Sequence, residues 1–517
     1  MSKRNVLFIT SDQQHWLTLG LNNPEVHTPN LDRLARRGVC FDNAYTVNPT
    51  CTPTRCSWLT GMYPSQHGAY SLGTKMLESV PTVNDEFHQH DYKTALVGKA
   101  HFQPLLGTPE FPTLEGYPLL HDLEFWRNFR GPFYGFDKAE MARNHADESH
   151  AGQHYALWME SKGCKDWRKY FVSNVESQRV PGDQLSDSPR VRPEVGTAWD
   201  IPEELHYDVW IAERTNAMLE EFKQSGDNFF LWASFLDPHS PYFVPEPYAS
   251  MYDPAKVTVP EIVPGELDDK PPHFALTQQK NPDFSAYRTD EGSNMLHGAS
   301  CQLRSREEKA RGIAIMYGMI TMMDKYIGKI LDKLDELGLT ENTLVVFTSD
   351  HGTFFGQHGL VAKAIHHYED LLRVPLIASL PGVLPENTVN SDLQNTVDLA
   401  PTFLGFAGIP VPRRMTGLNQ FAQWTGQGGE PRKNVIIENR HNPTTMNIKT
   451  LVNGRYKITV YCNATYGELF DLQEDPGELV NLWDLPECQQ LKCDLLLEFM
   501  QADMLIEPMP MPRVAGA

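Results

Sequence analysis

The 517-residue chain contains no apolar run approaching the ~18 residues that a membrane-spanning helix needs. No export leader is expected either. The opening MSKRNVLFITSDQQ has a short basic head, but its apolar stretch, Val6 to Thr10, is shorter than the roughly 7–15 residues of an export signal. A cytoplasmic location, away from any membrane, is the expectation. Basic excess is absent too: 45 Lys and Arg stand against 66 Asp and Glu, a formal net charge of −21. That balance argues against general nucleic-acid or anionic-membrane binding, because both want basic surface. A small anionic substrate is still compatible, since a pocket can be locally positive inside an acidic protein. Cysteine is scarce. The eight thiols, Cys40, Cys51, Cys56, Cys164, Cys301, Cys462, Cys488 and Cys493, include no CxxC pair and no zinc spacing. All except Cys51 read as reduced thiols packed as small hydrophobes. Repeats and low-complexity tracts are absent.

What is present is globular composition: 41% apolar and 21% charged residues exclude disorder for the bulk of the chain. Asn5 to Thr10 is a continuous apolar run ending in Ser11-Asp12-Gln13-Gln14, which predicts a buried parallel strand with a polar loop after it. Thr94 to Lys99, Asn228 to Leu236 and Thr343 to Thr348 read the same way, ending in polar clusters that contain Lys99, His239 and Asp350. In open α/β sheets ligands sit outside the carboxyl ends of the strands, so four such clusters argue for one shared site. Thr28 to Ala35 predicts a helix with Pro29 at its first position. Arg304 to Leu337 predicts a long helix whose Met316, Met319, Met322 and Met323 belong to the core. The aromatic, Pro-rich segments at about 105–201 and 245–300 read as insertions over the sheet. Their aromatics (Trp126, Phe133, Tyr134, Trp158, Trp167, Tyr170, Phe171) suggest a pocket for an organic leaving group.

From about residue 411 the pattern changes to short strands with tight turns, including Asn453-Gly454, and a helix from about Cys488 to Met504. The expected organisation is a catalytic α/β domain at 1–410 and a small C-terminal α+β domain with an antiparallel sheet at 411–517. The tail PMPMPRVAGA is compatible with packing on a neighbouring subunit, which would make a homo-oligomer.

The run Cys51-Thr52-Pro53-Thr54-Arg55, followed by Leu59-Thr60-Gly61, resembles the sulfatase signature. The run HTPNLDRLARRGVCFDNAY, Gly98-Lys99-Ala100-His101, Asp237-Pro238-His239-Ser240-Pro241-Tyr242, Ser349-Asp350-His351-Gly352, Gly359 to Lys363 and the closing Glu468 to Leu472 fall in that family's order. The resemblance spans nearly the whole chain except the two insertions. It implies an alkaline-phosphatase-like α/β sandwich with a mostly parallel central sheet.

The resemblance also implies a chemistry. Cys51 would be oxidised to formylglycine by a separate maturation enzyme, and the aldehyde hydrate would attack sulfur in a small anionic ester substrate. Asp12, Asp350 and His351 look like ligands of one divalent metal, with the modified Cys51 completing the shell. Arg55 would stabilise the hydrate and the sulfate charge, near a helix N-terminus that favours anions. Lys99 and Lys363 would bind sulfate oxygens and bridge to the leaving oxygen. His239 is the best general acid for that oxygen, and His101 would help deprotonate the hydrate. His366 and His367 have no assigned role, His67 reads as structural, and Glu369 as an ion-pair partner. Two departures matter. Many sulfatases carry a second Asp where this chain has Gln13, and an Asn where it has His351. An imidazole ligand moves the metal preference from Ca²⁺ toward Mn²⁺ and leaves the two level. The pair is similar to choline sulfatases and phosphonate monoester hydrolases. A phosphonate monoester or phosphodiester hydrolase is therefore the second expectation, with Gln13 among the substrate contacts. A catalytically dead binding protein is the remote third, since Asp12, Cys51 and Asp350 are all retained.

Overall fold

The computed structural model describes residues 4–143, 151–171, 195–280, 282–287, 304–363, 365–429, 431–440, 445–509, 511 and 513–515. Parts of both expected insertions, Cys301 and part of the C-terminal tail lie outside the described residues.

The central sheet has eight strands: β1 (Asn5–Ser11), β2 (Gly38–Phe41), β3 (Tyr92–Gly98), β4 (Lys138–Met141), β5 (Asn228–Ser234), β6 (Thr343–Ser349), β7 (Leu376–Ser379) and β8 (Thr388–Asn390). Their order is β8-β2-β7-β6-β1-β5-β3-β4. The four strands that carry the polar clusters are neighbours and run parallel, and β7 runs against both of its neighbours. Every residue of β1 is buried, as its unbroken apolar run requires of a strand covered on both faces. Alternation divides it: Leu7 and Ile9 join one apolar core, Val6 and Phe8 the other. Helix α1 (Pro29–Arg36) and helix α2 (Cys51–Thr60) flank the amino-terminal strands. Helix α3 (Tyr207–Ser225) and helix α4 (Arg306–Glu336) cover the first core. Ser305 caps α4 reciprocally with Glu308, and Met316, Met319, Met322 and Met323 are fully buried, as expected.

Two expectations are corrected. The first insertion does more than lie over the sheet, since its residues 138–141 form the edge strand β4, paired with β3. Its aromatics, expected to shape a pocket, are packed into the two cores. Trp126, Phe133 and Tyr134 are buried in one core, and Trp158, Trp167 and Phe171 in the other, with Tyr170 packed against it. A long irregular segment has few other means of burying area, and each large ring removes much surface from water.

Beyond the main sheet, β9 (Val435–Arg440), β10 (Asn447–Val452), β11 (Tyr456–Tyr461) and β12 (Gly467–Asp471) form an antiparallel sheet in sequence order. The Asn453-Gly454 turn closes β10 onto β11, with Gly454 at φ 90°. Helix α5 (Gln489–Leu505) packs on this sheet through Leu495, Phe499 and Ala502. Among the described residues no helix is long and apolar enough to cross a membrane, and seven cysteines are free thiols.

A buried charge cluster ties the small sheet to the large one. Lys457 on β11 is fully buried between Glu369, at 3.2 Å, and Glu478. Glu369 also accepts from the Tyr45 hydroxyl at 2.8 Å, and Glu478 accepts from the Glu369 amide at 2.7 Å. Removing one partner of such a cluster strands the others away from water. Lys457→Ala is therefore expected to lower unfolding stability by about 3–5 kcal/mol in denaturant titration. The exposed control Lys223→Ala should stay near wild type, and equal midpoints for the two variants would disprove the assignment.

Candidate active site

The site is built where four parallel strands end together. The registers set Ser11 opposite Ser349, Thr10 opposite Ser234, and Gly98 opposite Ser234, so the residues that follow share one level. The chain then turns inward. The Asp12 amide donates to the Asp237 carbonyl at 3.0 Å, and the Lys99 amide to the Ser234 carbonyl at 3.1 Å. Gly98 makes this possible: at φ 108° it packs so closely that a Cβ would lie 1.9 Å from the Ser234 oxygen.

Helix α2 delivers Cys51 from the side. Thr50 precedes it in extended conformation, Gly61 ends it in the left-handed region, and all ten of its residues are buried. The entry loop is held by Thr54, whose hydroxyl donates to the Asn48 carbonyl at 2.6 Å, and by Thr46, whose hydroxyl donates to the Asp350 carbonyl at 2.6 Å. Cys51 Sγ lies 3.2 Å from His351 Nε2, 3.6 Å from Asp12 Oδ1 and 3.0 Å from Lys363 Nζ. Lys363 Nζ reaches His239 Nε2 at 3.2 Å.

Arg55, one helical turn after Cys51, binds both carboxylates. Its Nε donates to Asp350 Oδ2 at 2.8 Å, and its Nη2 lies 3.8 Å from Asp12 Oδ2. Its Nη1 donates to Ser234 Oγ and to the Lys99 carbonyl, at 2.9 and 3.1 Å. Lys99 pairs directly with Asp12. Three buried cations thus face two buried carboxylates, an excess of positive charge that suits an anionic ester. Burial, and after it Asp12, pushes the Cys51 thiol up, with Lys363 and Lys99 opposing. Burial presses Lys99 down against the pull of Asp12. His239 falls well below the usual imidazole value, first through burial and then through Lys363. His101 does likewise, through burial and then Arg143, Lys99, Arg55 and Lys363.

The donor set fits a divalent cation. Ligand atoms of Asp12, Cys51, Asp350 and His351 lie within 4.8 Å of one another, all buried. His351 Nδ1 bonds the Gly352 carbonyl at 2.8 Å, which leaves Nε2 as the lone-pair nitrogen facing Cys51. Gln13 adjoins this set, with its backbone amide donating to Asp350 Oδ1 at 2.9 Å. Its Nε2 donates to Thr353 Oγ1 at 3.3 Å, while its buried Oε1 has no hydrogen-bond partner. A buried carbonyl left without a donor is the kind of atom a cation satisfies.

The strand ends, α2 and the Lys363 loop therefore bring Asp12, Gln13, Cys51, Arg55, Lys99, His239, Asp350, His351 and Lys363 together. His101 stands two residues beyond Lys99, at φ 60° with its Nδ1 unpaired. His67 bonds Ser57 at 3.0 Å and is structural. Glu369 pairs with Lys457, and His367 bonds Thr450 at 2.7 Å, both on the small-sheet side. His366 is buried with both ring nitrogens unpartnered, beside His273. Thr46, Ser234 and Thr353 were not legible in sequence as parts of the site, since lone hydroxyls in strands and loops carry no motif.

Comparison with known proteins agrees with this geometry. The sulfatase family model matches residues 4–409, and a model of the C-terminal region of N-sulphoglucosamine sulphohydrolase matches residues 356–504. An arylsulfatase of Clostridium perfringens is 30% identical over 499 residues, covering 94% of this chain and 92% of that protein. A choline-sulfatase of Rhizobium meliloti is 26% identical over 502 residues, covering 94% and 83%. The solved phosphonate monoester hydrolase from Silicibacter pomeroyi shares the fold, with a TM-score of 0.77 at 23% identity over 98% of this chain and 96% of that one. With a family model across most of its length and the strand-end cluster of Asp12, Cys51, Arg55 and Asp350 intact, the chain belongs to the sulfatase family of hydrolases, within the alkaline phosphatase superfamily.

Proposed function

We propose that the protein hydrolyses an organic sulfate monoester, with Cys51 in its formylglycine form and a divalent cation, Ca²⁺ or Mn²⁺, held by Asp12, Asp350, His351 and the Gln13 carbonyl. The observation that carries this reading is the placement of Cys51. It opens a buried helix within reach of two carboxylates, an imidazole and Lys363 at once. When present, the cation would neutralise charge on the ester oxygens, and the modified side chain would supply the attacking oxygen.

The chain's own residues do the rest. Arg55 holds Asp350 and Asp12 in register, so both carboxylates stay oriented. Lys99 and Lys363 present ammonium groups to the ester's anionic oxygens. His239 is more open than the other site groups, and its Nδ1 bonds the Ser240 carbonyl. That bond turns its Nε2 toward Lys363, on the side where the leaving oxygen would depart. A proton carried on this pair can pass to that oxygen as the bond breaks. Phosphonate monoester or phosphodiester hydrolysis is the second reading. It is favoured by Gln13, whose neutral oxygen stands where many sulfatases place a second Asp, and by His351. The same site can attack either centre, because both are tetrahedral and anionic. Measuring kcat/KM for an aryl sulfate and an aryl phosphonate monoester ranks the two.

Three outcomes test the proposal. Mass spectrometry of the peptide containing residue 51 should show a fraction in which CH₂SH has become CHO, and turnover should scale with that fraction. Full activity in protein whose Cys51 is entirely thiol would refute the formylglycine reading. Cys51→Ala and Asp350→Ala should each lose at least about a hundredfold in kcat, while Cys164→Ala should not, because each ~1.36 kcal/mol of lost transition-state stabilisation is tenfold. A chelator should reproduce the Asp350→Ala loss in wild type, reversibly on adding metal. Retention of more than about a tenth of wild-type kcat in Asp350→Ala would count against the metal assignment. Finally, His239→Ala should lose far more on an alkyl sulfate than on a nitrophenyl sulfate, because a general acid matters most for a poor leaving group. Equal losses on both would make His239 a binding residue.

A further inference from the structure

Glu115 belongs to none of the sequence motifs. It lies in the irregular segment after β3 and is 2% exposed. Its Oε2 accepts the His101 amide at 2.6 Å, and its Oε1 accepts the amides of Phe102 and Gln103 at 2.7 and 3.1 Å. Arg143 completes the ring, with Nη1 3.3 Å from Glu115 Oε2 and donating to the Gln103 carbonyl at 2.8 Å. Both partners are also anchored just outside the turn they hold. Arg143 follows β4, whose register pairs Gly98 with Met141 and continues as the Ala142 amide donating to the Gly98 carbonyl at 3.0 Å. The Glu115 segment is tied by the Tyr117 amide to the Leu105 carbonyl at 2.9 Å. Gly116 lets the two chains touch, since a Cβ there would lie 2.2 Å from that same oxygen.

What this clamp holds is the turn carrying two site residues. Lys99 sends its ammonium to Asp12 and its carbonyl to Arg55. His101, a residue with a Cβ, sits at φ 60°. A backbone of that kind persists only where its surroundings over-determine it. A buried ion pair is a poor net stabiliser, because desolvation offsets the attraction. Three amides converging on one carboxylate instead impose a specific geometry on residues 101–103.

We propose that Glu115, clamped by Arg143, is a positioning residue for the reaction: the pair fixes the turn that brings Lys99 to Asp12 and Arg55 and carries His101 two residues later. Neither residue is assigned a contact with the reacting atoms. The kinetic part of the test rests on the hydrolase reading above, and the structural part does not.

The experiment is a double-mutant cycle on whichever ester wild type turns over. Glu115→Gln keeps the shape but removes the charge, and should lower kcat about tenfold to a hundredfold with little change in KM. In a His101→Ala background the same substitution should cost less, because one of the two groups it positions is gone. In a His239→Ala background the full loss should remain. Equal losses in all three backgrounds would overturn the proposal. Arg143→Lys serves in the same cycle if Glu115→Gln does not fold. Hydrogen exchange at residues 101–103 needs no substrate. Protection there should fall selectively in the variant, and unchanged protection overturns the clamp even if the assayed ester is the wrong one.

Discussion

The Arg55 guanidinium between Asp350 and Asp12 is the interaction on which the site depends. The two carboxylates end adjacent parallel strands and are completely buried. Left alone they would repel, and burial would drive protons onto them. Arg55 lies across both, and Lys99 pairs with Asp12 from the other side. The charged lattice gives both buried carboxylates partners at the carboxyl edge of the sheet. It also places α2 in one orientation, because Arg55 and Cys51 lie one turn apart on the same helix.

The rest of the fold supports that lattice from three directions. The central sheet sets the height of the strand ends through its register. The first insertion supplies β4 and the Glu115–Arg143 clamp, and so acts on the turn after β3. The small antiparallel sheet closes the third side. Glu438 on β9 accepts from the Ser65 amide just beyond α2 at 2.8 Å, and Lys457 on β11 holds Glu369, which follows the Lys363 loop. Buried charge is costly everywhere in this protein, and it is concentrated where separate segments must meet in one arrangement.

Much of this architecture is legible in the sequence, for identifiable reasons. Short apolar runs bounded by polar loops and rich in β-branched and aromatic residues read as strands covered on both faces, so β1, β5 and β6 are readable directly, as is the long helix α4 from its period and cap. The short β7 and β8 were not readable. Leu376–Ser379 is flanked by Pro375 and Pro381-Gly382 but is only four residues long, and its antiparallel direction comes only from its neighbours. The insertion aromatics misled in the opposite way, because ring-rich irregular sequence reads equally as pocket lining or as core. Burial, which decides between them, is a property of the folded whole.

By itself the sequence determined the chemical inventory. Asp12, Lys99, His239 and Asp350 each follow an apolar run, and Cys51 and Arg55 are spaced to share one helical face. Local pattern suffices for these, because strand ends and helix turns are local geometry. Only the tertiary structure decided what those groups do to one another. It set Arg55 across the carboxylates, left the buried Gln13 oxygen without a hydrogen-bond partner, and linked Lys363 to His239. It also brought Glu115 and Arg143 to the His101 turn, from segments with no motif to mark them. Contacts between residues far apart in the chain depend on register and packing, and neither is written in any local stretch of sequence.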